Sequence, residues 1–197
     1  EKHLWTQKKF SNYSLILDWR IKETPFQNPN VRQILPDGSD ALDAEGKPVA
    51  ITQPDADSGV LLNGSEKHQV NIWCWPIGSG EMYGIRTDGN MPTAVRSAVT
   101  PRTQADKPVG EWNALRIVMV GSRVSVWLNE RQVVDHVVLE NYYDKNNKQL
   151  KPAERRPVPA QGPIQLQTHG GATHWRNIFV REIGAAEANQ WLAGRGG

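Results

Sequence analysis

The sequence predicts an all-β chain, an antiparallel two-sheet sandwich with long loops and a short C-terminal helix, on three observations. Helical periodicity is nearly absent, short segments alternate apolar and polar residues, and two-residue turn signals join several of them as hairpins. The clearest alternation covers residues 13–22. There Leu15, Leu17, Trp19 and Ile21 share one face, and Ser14, Asp18 and Arg20 share the other. Further strands are expected at 60–62 and 69–74, then at 115–120 and 123–128, which flank the two-residue connection Gly121-Ser122. Asn129-Glu130 turns the chain into a strand at 132–138, and strands at 164–168 and 175–181 complete the set. Only residues 185–193 read as a helix. Many short strands joined by hairpins and long crossings belong to a sandwich or a barrel.

The 197 residues suit one domain, 1–197, long enough to bury a real core. With 23 Lys and Arg against 21 Asp and Glu, the formal net charge is +2 and no basic run stands out. That argues against nucleic acid, because phosphate binding needs a concentrated positive surface. No apolar run approaches the roughly 20 residues that cross a bilayer. Neither a signal peptide nor a lipidation motif is visible, so the expectation is an intracellular or an already trimmed chain. A single cysteine, Cys74, excludes an internal disulfide framework and a thiolate metal cluster. Eight Trp against three Phe and four Tyr is unusual: such rings either fill the core or offer flat faces for stacking. Three stretches, 24–57, 88–110 and 141–162, read as loops of a length that is either functional or disordered.

Parity decides which side chains can meet. If Val70, Ile72 and Cys74 face the core, Gln69, Asn71, Trp73 and Trp75 face the other way. With Ile164 and Leu166 inward, Gln165, Gln167 and His169 point outward, as do Asp18 and Arg20 on the first long strand. Amides read hydroxyls and an aromatic plane takes the apolar face of a sugar ring, so these residues on one wet face would hold carbohydrate. The run Gln167-Thr168-His169-Gly170-Gly171 is the sharpest feature. Its two glycines allow a tight turn and close backbone approach. His169 at the strand end suits a general base or a metal ligand. Other catalytic patterns are missing. Gly78-Ser79-Gly80 is not a nucleophile elbow, and no phosphate-binding loop or HExxH spacing occurs. For a two-carboxylate glycosidase, Asp18 and the loop-borne Glu81 are the available acids, and they do not form a convincing pair.

Taken in order, several stretches resemble one family, the 3-keto-disaccharide hydrolases, a former domain of unknown function with a concanavalin-A-like fold. They are Leu4-Trp5-Thr6 with Phe10, Tyr13-Ser14-Leu15, Trp19-Arg20, Asp57-Ser58-Gly59-Val60 and Gln69-Val70-Asn71-Ile72. Further on come Met82-Tyr83-Gly84-Ile85, Gly110-Glu111-Trp112-Asn113, Val126-Trp127-Leu128-Asn129 and Gly162-Pro163-Ile164-Gln165-Leu166-Gln167. His169-Gly170-Gly171 and Trp175-Arg176-Asn177-Ile178 close the series, which spans nearly the whole chain.

The resemblance implies a jelly roll, a carbohydrate partner and a secreted, periplasmic or cell-surface home in a bacterium. It also implies cleavage of glycosides that carry a ketone at C3. Such a ketone acidifies the C2 hydrogen, and the resulting enolate expels the C1 leaving group. That route needs one base and one electrophile for the enolate oxygen, a cation or a divalent metal ion, rather than two carboxylates. On this reading His169 is base or metal ligand, and Arg20 or Arg86 stabilises the enolate. Gln69, Asn71, Gln167 and Asp18 contact the sugar, with Trp73 and Trp75 stacking on it. Many relatives carry Glu-x-Gln where this chain has Gln69-Val70-Asn71, which removes one candidate base. Relatives also carry strands upstream of the Leu-Trp-Thr stretch, so the expectation is a trimmed chain or an open N-terminal edge. The alternatives are a non-catalytic, lectin-like carbohydrate-binding module and, on residues 112–129, a laminin-G-like interaction domain.

Overall fold

The structure is a computed structural model that describes residues 3–88, 91–141, 150–169 and 171–194. Two antiparallel sheets form the sandwich. The larger contains β2 (Tyr13–Ile21), β7 (Asn113–Val120), β8 (Arg123–Leu128), β9 (Arg131–Val138) and β13 (Thr173–Glu182), in the order β13-β2-β7-β8-β9. The smaller contains β1 (Leu4–Trp5), β5 (Asp57–Leu61), β6 (Gln69–Trp73) and β12 (Gln165–Leu166), in the order β1-β12-β5-β6. The segment after Gly78 extends it. Asn71 N–H donates to the Glu81 carbonyl at 2.9 Å, Gly80 N–H donates to the Asn71 carbonyl at 2.8 Å, and Val70 bridges Met82.

Alternation works as anticipated. In β2, Leu15, Leu17, Trp19 and Ile21 are buried while Ile16, Asp18 and Arg20 are not. They pack with Ile117 and Met119 of β7 and Val126 of β8 against Val60, Val70, Ile72 and Leu166 of the smaller sheet, in one apolar cluster. Burial of this kind contributes roughly 1.5–3 kcal/mol for each large side chain. Asn129 and Glu130 both have positive φ, 48° and 68°, as a tight two-residue hairpin demands. At the C-terminus α3 (Ala185–Ala193) lays Ala188 and Trp191 on Val118, Val120 and Ile183.

The long loops are more ordered than their sequence suggests. Residues 24–57 form an arm in which β3 (Gln27–Arg32) pairs with β4 (Ala50–Pro54), continued by bridges Ile34–Asp40 and Leu42–Pro48. Of β3 only Val31 is buried, so a ribbon with almost no apolar face leaves no period-two signal to read. Residues 83–99 hold two short helices, α1 (Tyr83–Arg86) and α2 (Thr93–Val99), packed on each other. Gly38 of the arm, with φ +78°, meets the end of α2 so closely that a Cβ there would lie 2.5 Å from Thr100 Oγ1. In the third loop β10 (Glu140–Asn141) pairs with β11 (Arg156–Pro157), while 142–149 fall outside the described residues.

Candidate functional site

The outer face of the smaller sheet is amide-rich, and its amides are joined. Gln69 Nε2 donates to Gln167 Oε1 and to Asn71 Oδ1, both at 2.9 Å. Asn71 Nδ2 donates to Glu81 Oε1 at 3.3 Å, and the Glu81 carboxylate is held by the Arg86 guanidinium through Nε and Nη2. One hydrogen-bonded row therefore runs Gln167–Gln69–Asn71–Glu81–Arg86 across the face. Gly59 makes it possible, because a Cβ at that position would lie 2.5 Å from Gln69 Nε2. The row is deep: Gln69, Asn71, Glu81 and Arg86 are 8 %, 2 %, 0 % and 6 % exposed. Burial pushes the Glu81 carboxyl up, while the Arg86 charge and the hydrogen bonds from Arg86 and Asn71 pull against it.

Above this floor lies a pocket of about 340 Å³ lined by Gln69, Gln165, Gln167, His169, Lys67 and Tyr83, among others. Gln165 is buried and its amide oxygen has no donor among the described residues. At the rim His169 Nδ1 lies 2.5 Å from Asp57 Oδ1. An ionised carboxylate only accepts, so this contact puts the imidazole proton on Nδ1 and leaves Nε2 as the basic nitrogen. The pocket has Lys67 as its cation and Tyr83 as its phenol donor. A second pocket of about 480 Å³ adjoins it at Tyr83 and Thr87, between the arm, α1 and α2.

The structure thus brings Gln69, Asn71, Gln167 and His169 together, with Arg86 at the end of the row. Asp18 and Arg20 do not join them. They lie on β2, on the outer face of the other sheet, where parity alone could not separate the two outer faces. Asp18 Oδ2 accepts from Arg176 Nε at 3.0 Å and from Asn177 Nδ2 at 2.8 Å. Arg20 donates to His174 Nδ1 at 2.9 Å and lies over the Trp112 ring. Nor do Asp18 and Glu81 share a face. Trp73, expected as an open stacking ring, is 2 % exposed. Trp75 stacks on it at 4.2 Å, Tyr83 meets it edge-on, and its Nε1 donates to the Gly78 carbonyl at 2.7 Å. Trp75 is half-buried and lines the second pocket.

Ser79 is buried and exchanges hydrogen bonds with the Trp73 backbone, so the Gly-Ser-Gly run is architectural. Gly170 lies outside the described residues. Among the described residues no three His, Cys, Asp or Glu side chains gather closely enough to hold a metal ion. The described side chains therefore do not supply a ligand set for the divalent ion. Sequence reasoning left out Asp57, Lys67 and Tyr83. Extending strand parity from Gly59 would have put Asp57 on the amide face.

No curated protein matches the chain. Among solved structures, a Parabacteroides distasonis protein assigned as a glycosyl hydrolase aligns with TM-score 0.50 at 14 % identity, covering 92 % of this chain and 76 % of that one. A second protein of that organism with the same assignment gives 0.49 at 18 % identity, covering 92 % and 83 %. The carbohydrate-binding module CBM66 of Bacillus subtilis gives 0.44 at 10 % identity, covering 89 % and 78 %. Only the first reaches a TM-score of 0.50, and at 14 % identity it bears on the fold alone. Residues 1–181 match the 3-keto-alpha-glucoside-1,2-lyase-like domain, the whole length over which the ordered motifs run, and the chain belongs to that family.

Proposed function

We propose that the chain cleaves a 3-keto-glycoside by elimination in the pocket over the smaller sheet. The observation that carries this reading is the His169–Asp57 pair at the rim of an amide-floored pocket that also holds a cation, Lys67. His169 Nε2 takes the C2 proton and Asp57 steadies the imidazolium that forms. The electron pair left on C2 delocalises onto the C3 oxygen, where the Lys67 ammonium meets the developing charge. Collapse of the enolate forms the C1–C2 double bond and breaks the C1–O bond. The departing oxygen takes its proton from Tyr83, whose phenol burial holds above its usual range and so keeps protonated. Gln69, Asn71, Gln165 and Gln167 orient the ring through its hydroxyls. No redox partner is needed, since the ketone is already present in the substrate.

The family is a carbohydrate one, glycosyl-hydrolase-like or carbohydrate-binding, and supports this reading at that level. The test is turnover of p-nitrophenyl 3-keto-glucoside, followed by nitrophenolate release and by detection of the unsaturated ketone. His169→Ala is expected to lower kcat at least about 100-fold, the usual size of a lost general base. Release of nitrophenolate with a saturated sugar product would overturn the elimination route. A second reading, a non-catalytic carbohydrate-binding module, is favoured by one observation: the floor consists of amides, which read hydroxyls without moving protons. Sugar binding by calorimetry that survives His169→Ala, with no turnover by the wild type, selects it. The elimination reading also carries an extracytoplasmic location, which fractionation of the producing cell checks.

A further inference from the structure

The second pocket differs in character from the first. Its walls carry three arginines, Arg32, Arg86 and Arg96, against one lining carboxylate, Asp40, with Trp75 beside them. Arg86 is committed to Glu81 beneath it. Arg32 makes a loose contact of 3.6 Å with Asp40, both groups well exposed to water, the kind of pair that contributes little. Arg96 makes no side-chain hydrogen bond or ion pair with any described residue, and its Nε is buried without an acceptor. Its electrostatic attraction is to the exposed Asp37, whose Oδ1 accepts from the Ser39 N–H and Oγ. Trp75 Nε1 in the same wall is likewise buried without a partner among the described residues. A guanidinium without a direct ion pair, beside unsatisfied donors, calls for an acceptor-rich anion.

Place matters as much as charge. The two pockets share Tyr83 and Thr87, so the amide-floored pocket and the arginine-lined cleft adjoin at these side chains. Both volumes, about 340 and 480 Å³, fall in the range of small-ligand clefts, roughly 300–1000 Å³. The arm that supplies Arg32 and Asp40 is the segment with almost no buried apolar face of its own, and its tip is docked onto α2, which supplies Arg96. The arm and α2 therefore build a wall that carries Arg32 and Arg96 beside Asp40.

Resting on the carbohydrate reading above, we infer that this cleft is a subsite for an anionic sugar ring, one carrying a carboxylate or a sulfate, linked to the ring in the first pocket. Arg96 is the principal anion ligand, Arg32 assists it, and Trp75 offers the ring a flat neighbour.

The test is calorimetry on the whole chain with matched probes: glucosyl-glucose, glucosyl-glucuronic acid and 6-sulfated glucosyl-glucose, each in α and β linkage. The charged probes are expected to bind about tenfold tighter than the neutral one, the size of one added charge-assisted hydrogen bond. That preference should shrink as salt rises. Binding of both charged probes marks recognition of charge in general, and binding of the uronate alone marks a carboxylate site; either supports the subsite. Arg96→Gln should bring the ratio of charged to neutral affinity close to one, with circular dichroism confirming the fold. Should that variant misfold, Arg32→Gln should lower the same ratio. Equal binding of neutral and charged probes, or a ratio unchanged in both variants, overturns the subsite and leaves the sugar pocket standing. Failure of every probe to bind overturns the carbohydrate reading and the subsite with it.

Discussion

The two outer faces of this sandwich carry similar residues and differ in what surrounds them. On the larger sheet Asp18, Arg20, Arg176 and Trp112 pair among themselves, with the Trp112 ring between two guanidinium groups at 4.8 and 4.0 Å. On the smaller sheet Gln69, Asn71 and Glu81 are buried, α1 packs against β6, and two adjoining pockets open beside the row at Gln69 and at Arg86. Polar side chains at alternating positions thus end as a mutually paired surface on one face, with Arg20 Nε left unpartnered among the described residues, and as a recessed floor on the other. A recessed floor excludes water and strengthens each hydrogen bond it offers, which is what recognition requires. Cover, rather than composition, separates the faces.

The sharpest contrast between them is energetic. Replacing Glu81 with Ala strands the Arg86 charge inside the protein, and the expected loss is about 3–5 kcal/mol in urea unfolding. A variant within 1 kcal/mol of wild type would mean that the row across the smaller sheet is not a buried network. Next in size is Gly59→Ala, whose added methyl displaces the Gln69 amide. Strain of this kind costs about 1–3 kcal/mol, and sugar affinity should fall with it. A smaller effect concerns pH. His68, beside Lys67, is buried, donates from Nε2 to the Glu140 carbonyl at 3.1 Å, and has a buried Nδ1 without a partner among the described residues. Burial holds its pKa below the ordinary 6.5. As pH falls through about 6.5 the unfolded chain takes up a proton that the folded chain refuses, so folding stability falls. His68→Gln should flatten that slope between pH 7.5 and 5.5; an unchanged slope contradicts the assignment. Smallest is Arg176→Ala on the larger sheet, where the half-exposed pair with Asp18 contributes less than about 1 kcal/mol.

Much of this was legible beforehand, and the reasons for the rest are physical. Strands β2 and β6 to β9 show their alternation openly in the sequence, and on β6 it puts Gln69 and Asn71 on the face that meets Gln167, although all five β6 residues are buried. Parity names a side of a strand and not a sheet, so it could not distinguish the outer face bearing Asp18 and Arg20 from the one bearing Gln69. The arm is silent because β3 buries little more than Val31, and α1 is a single turn, too short to show a helical period. Glu81 is visible as a loop acid. Its position opposite Asn71 depends on a bridge between Val70 and Met82 that spans a turn with two left-handed glycines, Gly78 and Gly80. Trp73 has the right parity for stacking and is nonetheless closed off, because its neighbour two residues on folds back over it.

The central claim is that sugar is held on the amide face of the smaller sheet. Calorimetric titration of one 3-keto-glucoside against His169→Ala, which lacks the base that cleaves it, and against the same chain carrying Gln167→Ala or Arg20→Ala tests it most directly. Gln167→Ala is predicted to weaken binding about tenfold, as loss of one oriented hydrogen bond does, while Arg20→Ala leaves it unchanged. Binding that survives Gln167→Ala and fails in Arg20→Ala would move the site to the other face and contradict the account.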